Sequence, residues 1–299
     1  MKFVVTGGAG FIGSYIVKHL LKQRHQVTVV DNFWRGRLEN LTGFEEQIDI
    51  QKFDILDFDS LKTVISDSDG VFHQAALTSV PESFTQKEKY HSVNVIGTEN
   101  IFKLAKEFSI RVVYASSSSV YGNTTHIPIR EDSERKPINP YGITKLDGEK
   151  LAEKYHDLGV SIIGLRYFNV YGIGQTIDYA GVITKFYDNI QADKAPIIFG
   201  DGSQTRDFIS VDDVANANLL AMQSNTDFTH LNIGTGITTS IKQLANLMIS
   251  LSGKSLEAKF DELPEGDIKE SQADVSLAKK MINWSYETGI EDGLENFFF

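Results

Sequence analysis

The fold is decided at the start of the chain, in the stretch Lys2-Phe3-Val4-Val5-Thr6-Gly7-Gly8-Ala9-Gly10-Phe11-Ile12-Gly13. A short apolar run leads into spaced glycines, and an amphipathic pattern over residues 12–21 follows directly. Glycines allow a sharp turn and a close approach of a ligand to the backbone, and the free N–H groups of a helix N-terminus attract an anion. This order predicts a site for the pyrophosphate of a dinucleotide, formed by Gly7, Gly10, Phe11, Ile12 and Gly13.

Apolar runs and helical patterns go on alternating through the first 165 residues. Near-continuous runs of Val and Ile are typical of strands buried on both faces, and helices between them are typical of a parallel sheet. Helices are also predicted over residues 98–108, 141–158, 211–222 and 241–250. We therefore predict an α/β fold with a doubly wound parallel (Rossmann) sheet over residues 1–170, to which residues 207–235 return, and a smaller, interleaved C-terminal substrate-binding lobe over residues 171–299.

Composition excludes several classes of protein. The net charge of −11 argues against a nucleic-acid surface, and no apolar stretch approaches the ~18 residues of a membrane span. The lack of cysteine excludes disulfides and thiolate metal sites, which suits the cytoplasm. No histidine spacing suggests a metal ligand set, so we predict no metal site and a structural role for His73. Asp212 and Asp213 open a predicted helix and are expected to cap its N–H groups.

A carboxylate ends the second predicted strand. Asp31 lies eighteen residues beyond Gly13, where an acid accepts hydrogen bonds from the adenosine ribose and repels a 2′-phosphate. This position predicts NAD rather than NADP, although Arg35 and Arg37 lie close by and weaken the distinction. The same end of the site is predicted to include Asn32, Asp54 and Ile55. An acid at a strand end is also commonplace, so Asp54 is equally well explained without a ligand.

A tyrosine and a lysine begin the helix predicted over residues 141–158. Tyr141 and Lys145 are four residues apart and so share one helix face. The ordinary pKa of a tyrosine is about 10, and two positive charges, Lys145 and an oxidised nicotinamide ring, are expected to bring it toward neutrality. Tyr141 could then take a proton from a substrate alcohol while hydride leaves the same carbon. Serines 116–119 follow the strand of residues 111–114, at the sheet edge where a hydroxyl can hold the reacting oxygen.

The order of these motifs resembles the extended short-chain dehydrogenase/reductase family, in its branch of NAD-dependent nucleotide-sugar epimerases and dehydratases. The resemblance covers nearly the whole chain and rests also on the sequences His73-Gln74-Ala75-Ala76, Asn94-Val95-Ile96-Gly97-Thr98, Arg166-Tyr167-Phe168-Asn169, residues 200–208 and Gly266-Asp267. The pattern is most similar to UDP-glucose and UDP-N-acetylglucosamine 4-epimerases. Those enzymes hold NAD, oxidise C4 of the sugar, and return the hydride to the opposite face of the 4-keto sugar.

The resemblance also implies roles for individual residues. Tyr141 is similar to the catalytic base, Lys145 to its partner and Ser117 to the hydroxyl nearest the sugar O4. On the cofactor side the resemblance adds Gln74, Ala75, Ala76, Thr78, Asn94 and Tyr167. On the UDP-sugar side it implies contacts from Ser117, Ser118, Tyr141, Asn169, Phe199, Arg206 and Ser271. Arg206 is similar to the arginine that meets the UDP diphosphate.

Three positions bear on the reaction and the substrate that the resemblance implies. Dehydratases of the branch carry an Asp–Glu pair where this chain has Ser118 and Ser119, and decarboxylases keep the glutamate, so both activities are less favoured. A small residue at Ser271 resembles members that admit an N-acetyl group. UDP-N-acetylglucosamine/UDP-N-acetylgalactosamine interconversion is therefore expected, with UDP-glucose/UDP-galactose as further substrates. Pro264 replaces an arginine that grips the diphosphate in the family, which puts the nucleotide affinity in doubt.

Other functions stay open from the sequence. Within the same fold they are a nucleotide-sugar dehydratase, decarboxylase or reductase, and outside enzymology a non-catalytic NAD-binding regulator. A regulator would have no need of Tyr141 and Lys145 at helical spacing beside a serine, so catalysis is preferred. The resemblance further implies a homodimer, formed through the helices of residues 98–108 and 142–158.

Overall fold

A computed structural model describes residues 1–175, 181–262 and 269–298 of the protein. The sequence expectations for Pro264, Gly266, Asp267 and Phe299 lie outside these residues. The strands are β1 (Lys2–Thr6), β2 (Gln26–Asp31), β3 (Asp49–Lys52), β4 (Gly70–His73), β5 (Arg111–Ser117), β6 (Ile162–Tyr167), β7 (Asn169–Tyr171), β8 (Ile197–Phe199), β9 (Thr205–Ser210), β10 (Phe228–Ile233), β11 (Thr238–Ser240) and β12 (Lys259–Asp261). The helices are α1 (Phe11–Lys22), α2 (Phe58–Ile65), α3 (Val80–Thr85), α4 (Lys87–His91), α5 (Thr98–Phe108), α6 (Pro140–Asp157), α7 (Val182–Gln191), α8 (Val211–Gln223), α9 (Ile241–Leu251), α10 (Ser276–Ile282) and α11 (Ile290–Phe298).

Seven parallel strands form the main sheet, in the order β10-β6-β5-β4-β1-β2-β3. Successive residues of each strand point to opposite faces, so a run of apolar residues fills a core on both sides. Val5 packs in the core that contains α1 and α8, whereas its neighbour Val4 packs in the core that contains α2, α5 and α6. The predicted doubly wound sheet is therefore confirmed.

The strand order changes direction beside β1, and this change locates the ligand site. The chain runs outward from β1 to β2 and β3, then returns to place β4 on the other side of β1. Crossover connections therefore leave in opposite directions at this point and open a crevice at the carboxyl ends of the strands. The loop after β1, the ends of β2 and β5 and the start of α6 all meet there.

A smaller lobe contains two further sheets and a third apolar core. The sheet β11-β9-β7 and the pair β12-β8 pack with α7, α9 and α11. The rings of Phe297 and Phe298 each lie 5.4 Å from that of Tyr187, so the end of α11 packs on the body of the lobe. Between these elements the chain crosses back: β9 stays in the small lobe, while α8 packs on α1 and β10 joins the main sheet beside β6.

Helix α8 starts at Val211, as predicted, but its N-terminal capping differs from the sequence prediction. Its N-cap is Ser210, whose hydroxyl accepts from the N–H of Asp212 at 3.3 Å. The carboxylate of Asp213 instead accepts from the N–H groups of Glu287 (2.9 Å) and Thr288 (3.1 Å). The capping prediction for Asp213 was thus wrong, because the C-terminal segment folds over this turn and supplies donors that the local sequence does not reveal.

None of the helices in the described part of the chain has the length and apolar character of a membrane-spanning segment.

Candidate active site

A cavity of about 490 Å³ opens at the carboxyl end of the main sheet, on both sides of β1. Most of the site residues predicted from the sequence share its wall. They are Gly7, Gly10, Phe11, Ile12, Gly13, Asp31, Asn32, Asp54, Ile55, Gln74, Ala75, Ala76, Thr78, Ser117, Tyr141, Lys145 and Tyr167. The cavity therefore joins the predicted dinucleotide loop to the predicted catalytic residues.

The glycine loop has the shape that a pyrophosphate requires. Gly7 has φ +67°, and a Cβ there would lie 2.7 Å from the backbone nitrogen of Ala75. A Cβ on Gly13 would overlap the carbonyl oxygen of Gly7. Gly10 is the N-cap of α1, whose first turn has neither a side-chain cap nor an acidic residue. The N–H groups and the positive end of the helix dipole are therefore available to an anion at the cavity wall.

Asp31 fits the ribose end of a dinucleotide. Its carboxylate is buried and accepts from the N–H groups of Ala9 (3.1 Å) and Phe33 (2.8 Å). Burial raises the pKa of Asp31, and these two N–H groups oppose the rise. A carboxylate has about four acceptor positions, so others remain for ribose hydroxyls. Its negative charge and confined position disfavour a 2′-phosphate, in agreement with a preference for NAD.

The ends of β2 and β3 are joined beside Asp31. The amide of Asn32 donates to the carboxylate of Asp54 at 2.7 Å, and the N–H of Leu56 donates to the same carboxylate at 2.9 Å. Asp54 thus has an internal role in addition to its place on the cavity wall, and its contact with the cofactor stays a prediction.

The start of α6 presents Tyr141 and Lys145 to the cavity. Asn139 caps the helix by accepting from the N–H of Gly142 at 2.8 Å. Lys145 is buried, and its ammonium donates to the carbonyl oxygen of Ala115 at 2.9 Å and lies 5.9 Å from the centre of the Tyr141 ring. Ser117 ends β5 on the same wall. A base, a cation and a hydroxyl therefore meet where the dinucleotide loop ends.

Residues 3–234 match the protein family described as NAD dependent epimerase/dehydratase. The chain belongs to this family. Its cofactor is NAD, in agreement with the glycine loop and with Asp31. The family resemblance and the cofactor inferred from the sequence are thus confirmed.

Relatives of this epimerase/dehydratase cover nearly its full length and differ in substrate. A UDP-N-acetylglucosamine 4-epimerase from Methanobrevibacter ruminantium M1, solved with UDP-N-acetylmuramic acid, is 36% identical with a TM-score of 0.95 over 99% of this chain and 96% of that one. A UDP-glucose 4-epimerase from Thermotoga maritima, solved with UDP-glucose, is 34% identical with a TM-score of 0.94 over 99% and 96%. A UDP-N-acetyl-alpha-D-glucosaminuronate decarboxylase from Bacillus cytotoxicus is 34% identical over 98% of this chain and 97% of its own length.

In the protein without cofactor, the pKa of the Tyr141 phenol is higher than the sequence argument expects for the complex with NAD. Burial raises the pKa of Tyr141, and a hydrogen bond from Ser117 only opposes this rise. Burial also lowers the pKa of Lys145 to about 8. In the chain without cofactor the pKa is thus raised, because burial disfavours the phenolate. The lowered pKa that the sequence argument expects requires both Lys145 and bound NAD, and it stays a prediction. The remaining positive charge in the sequence argument is that of the oxidised nicotinamide.

Asn94, for which the resemblance implies a place on the cofactor side, is bound within the protein. It lies in a π-helical stretch, Ser92–Gly97, behind the cavity wall. Its side-chain amide exchanges hydrogen bonds of 2.8 and 2.9 Å with the backbone of Leu77 and donates to Thr144 at 3.0 Å. Asn94 thus holds the wall segment that contains Leu77 against α6, and a direct contact with the cofactor stays a prediction.

Tyr167 and Gln74 support the cavity wall from β6 and the end of β4. The hydroxyl of Tyr167 donates to the Gln74 amide oxygen at 3.1 Å and accepts from Asn218 of α8 at 2.8 Å. His73 lies beneath them, with one ring nitrogen 2.7 Å from Thr6 and the other 2.9 Å from Thr98. Burial lowers the pKa of His73 to about 3, so this histidine is neutral and joins β1, β4 and α5.

The predicted substrate contacts of the second lobe lie outside the wall of this cavity. Asn169 donates to the carbonyl oxygen of Asp207 at 3.0 Å and is flanked in sequence by cavity residues Phe168 and Val170. Arg206 lies on the neighbouring strand β9 and donates to the carbonyl oxygen of Thr205 at 2.9 Å. Roles in substrate binding stay predictions for Ser118, Asn169, Phe199, Arg206 and Ser271.

Asp207 connects this lobe to the segment that contains Ser271. The carboxylate of Asp207 is fully buried and accepts from the backbone N–H groups of Thr235 (2.7 Å), Gly236 (2.9 Å) and Ala273 (3.0 Å). It also accepts from the Thr235 hydroxyl at 2.8 Å. Strand β9, the loop after β10 and the segment near Ser271 are therefore held by one carboxylate.

Sequence reasoning noted Arg35 near the ribose end of the site but missed the polar and aromatic wall to which it belongs. Trp34 and Arg35, in the loop after β2, line the cavity together with Lys89 of α4. Arg35 forms an ion pair with Glu82 of α3, and the ammonium of Lys89 lies 3.5 Å from the centre of the Trp34 ring. No local pattern joins residues about 50 positions apart, so the sequence held no signal for these contacts. Ser116, from the predicted serine run, also lines the cavity. The other cavity residues to which the sequence analysis gave no role are Val30, Gly36, Asn40, Phe53, Leu77, Val93, Ala115, Phe168, Val170 and Gln175.

In the described residues, no group of His, Asp and Glu side chains is arranged to hold a metal ion.

Proposed function

We propose that the protein interconverts UDP-N-acetylglucosamine and UDP-N-acetylgalactosamine by inverting C4 of the sugar, and that it also accepts UDP-glucose and UDP-galactose. The observation that carries this proposal is the position of Ser117, Tyr141 and Lys145 on the wall of the NAD cavity. Membership of the epimerase/dehydratase family and the 4-epimerases among the relatives support it.

The three residues divide the acid–base work. When bound, NAD supplies a reversible acceptor for the hydride of C4. Ser117 holds the C4 oxygen, and Tyr141 accepts the proton of the C4 hydroxyl as the carbon becomes a ketone. After the 4-keto sugar has turned its other face, Tyr141 returns the proton to the oxygen. The ammonium of Lys145 stabilises the phenolate, because its fixed bond to Ala115 keeps the charge near the ring.

The positions of the acidic residues in the cavity favour epimerisation over loss of water, because these residues lie far from the proposed reaction centre. Among the described residues that line the cavity, Asp31 and Asp54 are the acids. Asp31 ends β2, three strands from Ser117 on β5, which corresponds to about 14 Å. Elimination needs an acid and a base close to the reacting carbons, and this chain has Ser118 and Ser119 where dehydratases carry carboxylates.

A substrate assay tests the proposal directly. Purified protein is mixed with UDP-N-acetylglucosamine without added cofactor, and the nucleotide sugars are separated and identified by NMR. We expect UDP-N-acetylgalactosamine of unchanged mass at an equilibrium that is reached from either sugar. A product that has lost water or carbon dioxide would instead support a dehydratase or a decarboxylase, and bound NAD without turnover of any nucleotide sugar would support a regulator.

Ser271 tests the N-acetyl specificity within the same assay. Its small side chain is buried, and the resemblance places it beside the C2 substituent. We expect Ser271→Tyr to lose turnover of the N-acetylated sugars and to keep turnover of UDP-glucose. Equal loss for both substrates would contradict the assignment.

A further inference from the structure

A third buried residue follows Tyr141 and Lys145 on the same face of α6. Glu149 lies four residues beyond Lys145 and eight beyond Tyr141, so all three project from one side of the helix. Its side chain is fully buried, and it touches neither the cavity nor solvent. A buried carboxylate requires compensation, and the source of that compensation indicates its role.

The carboxylate of Glu149 binds both strands that flank the helix. One oxygen accepts from the Ser116 hydroxyl at 2.7 Å and from Nε of Arg166 at 2.8 Å. The other accepts from Nη2 of Arg166 at 2.8 Å and from Arg135 at 3.1 Å. Burial favours the neutral acid, but the bidentate bond to Arg166 holds the pKa of Glu149 at about 2. The group is therefore an ionised link from α6 to β5 and β6.

Arg166 is fixed from its other side as well. One of its nitrogens donates to the hydroxyl of Tyr121 at 2.7 Å and to the carbonyl oxygen of Glu131 at 3.0 Å. The Tyr121 hydroxyl in turn donates to Asn232 of β10 at 2.7 Å. The guanidinium is thus bound along its whole edge, and it gives Glu149 a rigid partner.

The register of the sheet relates these contacts to the active site. Ser116 of β5 pairs with Arg166 of β6, and the next pair along the strands is Ser117 with Tyr167. Ser117 and Tyr167 line the cavity. Glu149 therefore binds the pair of residues directly before Ser117 and Tyr167, of which Ser116 also borders the cavity. Tyr141 projects from the same helix two turns earlier.

We propose that Glu149, Ser116 and Arg166 form a positioning cluster, which sets the distance between the Tyr141 hydroxyl on α6 and the Ser117 hydroxyl on β5. A buried ion pair contributes little net stability compared with well-packed apolar residues, so stability alone does not account for it. Catalytic groups must be held within about 0.5 Å of their productive geometry, and the bonds from Glu149 to Ser116 and Arg166 fix α6 against β5 and β6. Only the kinetic consequence of this inference rests on the proposed function.

Crystal structures with bound NAD test the geometry. Glu149→Gln keeps the shape of the side chain and removes its charge, and Glu153→Gln is the matched control. Glu153 lies one turn further along α6, is 44% exposed and pairs with Arg135 at 3.0 Å. We expect the separation of the Tyr141 and Ser117 hydroxyl oxygens to change by about 0.5 Å or more in Glu149→Gln. We expect no change in Glu153→Gln.

Kinetics with the epimerase substrates test the consequence. In Glu149→Gln we expect kcat to fall by about 10- to 100-fold, with KM and the content of bound NAD unchanged, since a displaced base affects the chemical step. Glu153→Gln should behave as the wild type. Ser116→Ala should lower kcat by several-fold, and should lower it no further in the Glu149→Gln background, because the two groups act as one unit.

Ser116→Ala also decides the matter if Glu149→Gln does not fold, since it removes a single hydroxyl. An unchanged oxygen separation and a kcat within about twofold of wild type in these variants would overturn the inference. Absence of turnover in the wild type would refute the proposed function, and the crystal structures would still decide whether Glu149 positions Tyr141.

Discussion

Tyr141 is the residue on which the proposed chemistry depends. Its phenol lies on the cavity wall beside Ser117, and burial raises its pKa. Removing the hydroxyl leaves the NAD cavity intact but removes the proton acceptor. We expect Tyr141→Phe to retain bound NAD and to lose turnover by about 10²- to 10⁴-fold. Turnover and the nucleotide released on denaturation measure the two properties, and a rate close to that of wild type would exclude Tyr141 from the mechanism.

Lys145 links activity to a stability that depends on pH. Burial lowers its pKa to about 8 in the folded state, compared with about 10.4 in an unfolded chain. Between these values the unfolded state binds more protons, so the stability of the folded state rises with pH across this window. Below about pH 8 both states are protonated, and the buried ammonium destabilises the fold.

Comparison with Lys145→Met measures this effect. Relative to that variant, the wild type should gain about 3 kcal/mol in its free energy of unfolding between about pH 7 and about pH 10.5. Urea unfolding at both pH values gives the difference. Lys150→Met is the control, because Lys150 is exposed on the same helix. A difference between wild type and Lys145→Met that does not depend on pH would contradict the lowered pKa.

Single motifs predict some of these residues because their chemistry is local. A glycine loop, an acid at the end of β2 and a Tyr-x-x-x-Lys spacing each lie within one turn or strand end, so the sequence located Gly13, Asp31 and Lys145 on the cavity wall. The role of Glu149 could not be predicted, because it depends on contact with Arg166, which lies seventeen residues later on strand β6. The raised pKa of Tyr141 could not be predicted either, since the burial that causes it depends on the packed structure.

Among the elements, the loop after β2 and helix α4 form one wall of the NAD cavity, and helix α3 supports that loop from outside the cavity. The Arg35–Glu82 ion pair joins the loop to α3, and the stacking of Lys89 on Trp34 joins it to α4. The contacts connect segments that could otherwise separate and release a ligand. They are therefore expected to slow the release of NAD.

Lys89→Ala tests this wall. Loss of a cation–π contact of about 0.5 to 2 kcal/mol should speed NAD dissociation by about 2- to 30-fold. Lys87→Ala, an exposed residue of the same helix, is the matched control and should release NAD at the wild-type rate. Dissociation is followed by dilution into a scavenging NAD-dependent enzyme. Equal rates for the two variants would show that Lys89 does not retain the cofactor.

The helix limits followed from periodicity and capping chemistry. The helix predicted over residues 98–108 coincides with α5, and the one predicted over 241–250 ends one residue before α9 does. At α9, Ser240 and Gln243 form a capping box, a signal contained in four consecutive residues. The start of α8 at Val211 was predicted as well, but the role of Asp213 was not, because the donors to its carboxylate come from a segment more than 70 residues later.

At the scale of the whole molecule, the doubly wound sheet could be predicted because its buried strands show in composition alone. The strands of the second lobe could not be predicted from the sequence to the same degree. These strands are three to six residues long, and β11 and β12 gain their places through pairing with distant strands. Short strands carry too few residues for a periodic pattern, so tertiary pairing decides them.

Assembly is predicted to be dimeric. Helices α5 and α6 pack side by side, and Ile96 and Ile143, which lie close to their starts, are 43% and 48% exposed. Burial of such side chains against a second copy is favourable. Sedimentation equilibrium should therefore give twice the chain mass of 33.4 kDa. A mass of one chain at micromolar concentrations would refute the dimer.

The return of the chain to β10 has a consequence for biosynthesis. Strand β6 carries Arg166 and Tyr167, and its neighbour at the edge of the sheet is β10. Strand β10 follows α7 and β9 of the small lobe in the sequence, so it is synthesised later. A nascent chain that has emerged from the ribosome only as far as residue 170 therefore exposes the unpaired N–H and C=O groups of β6, which favour aggregation. Truncation at the apparent lobe boundary should therefore yield an insoluble fragment, although every described residue of the cavity wall lies before residue 176.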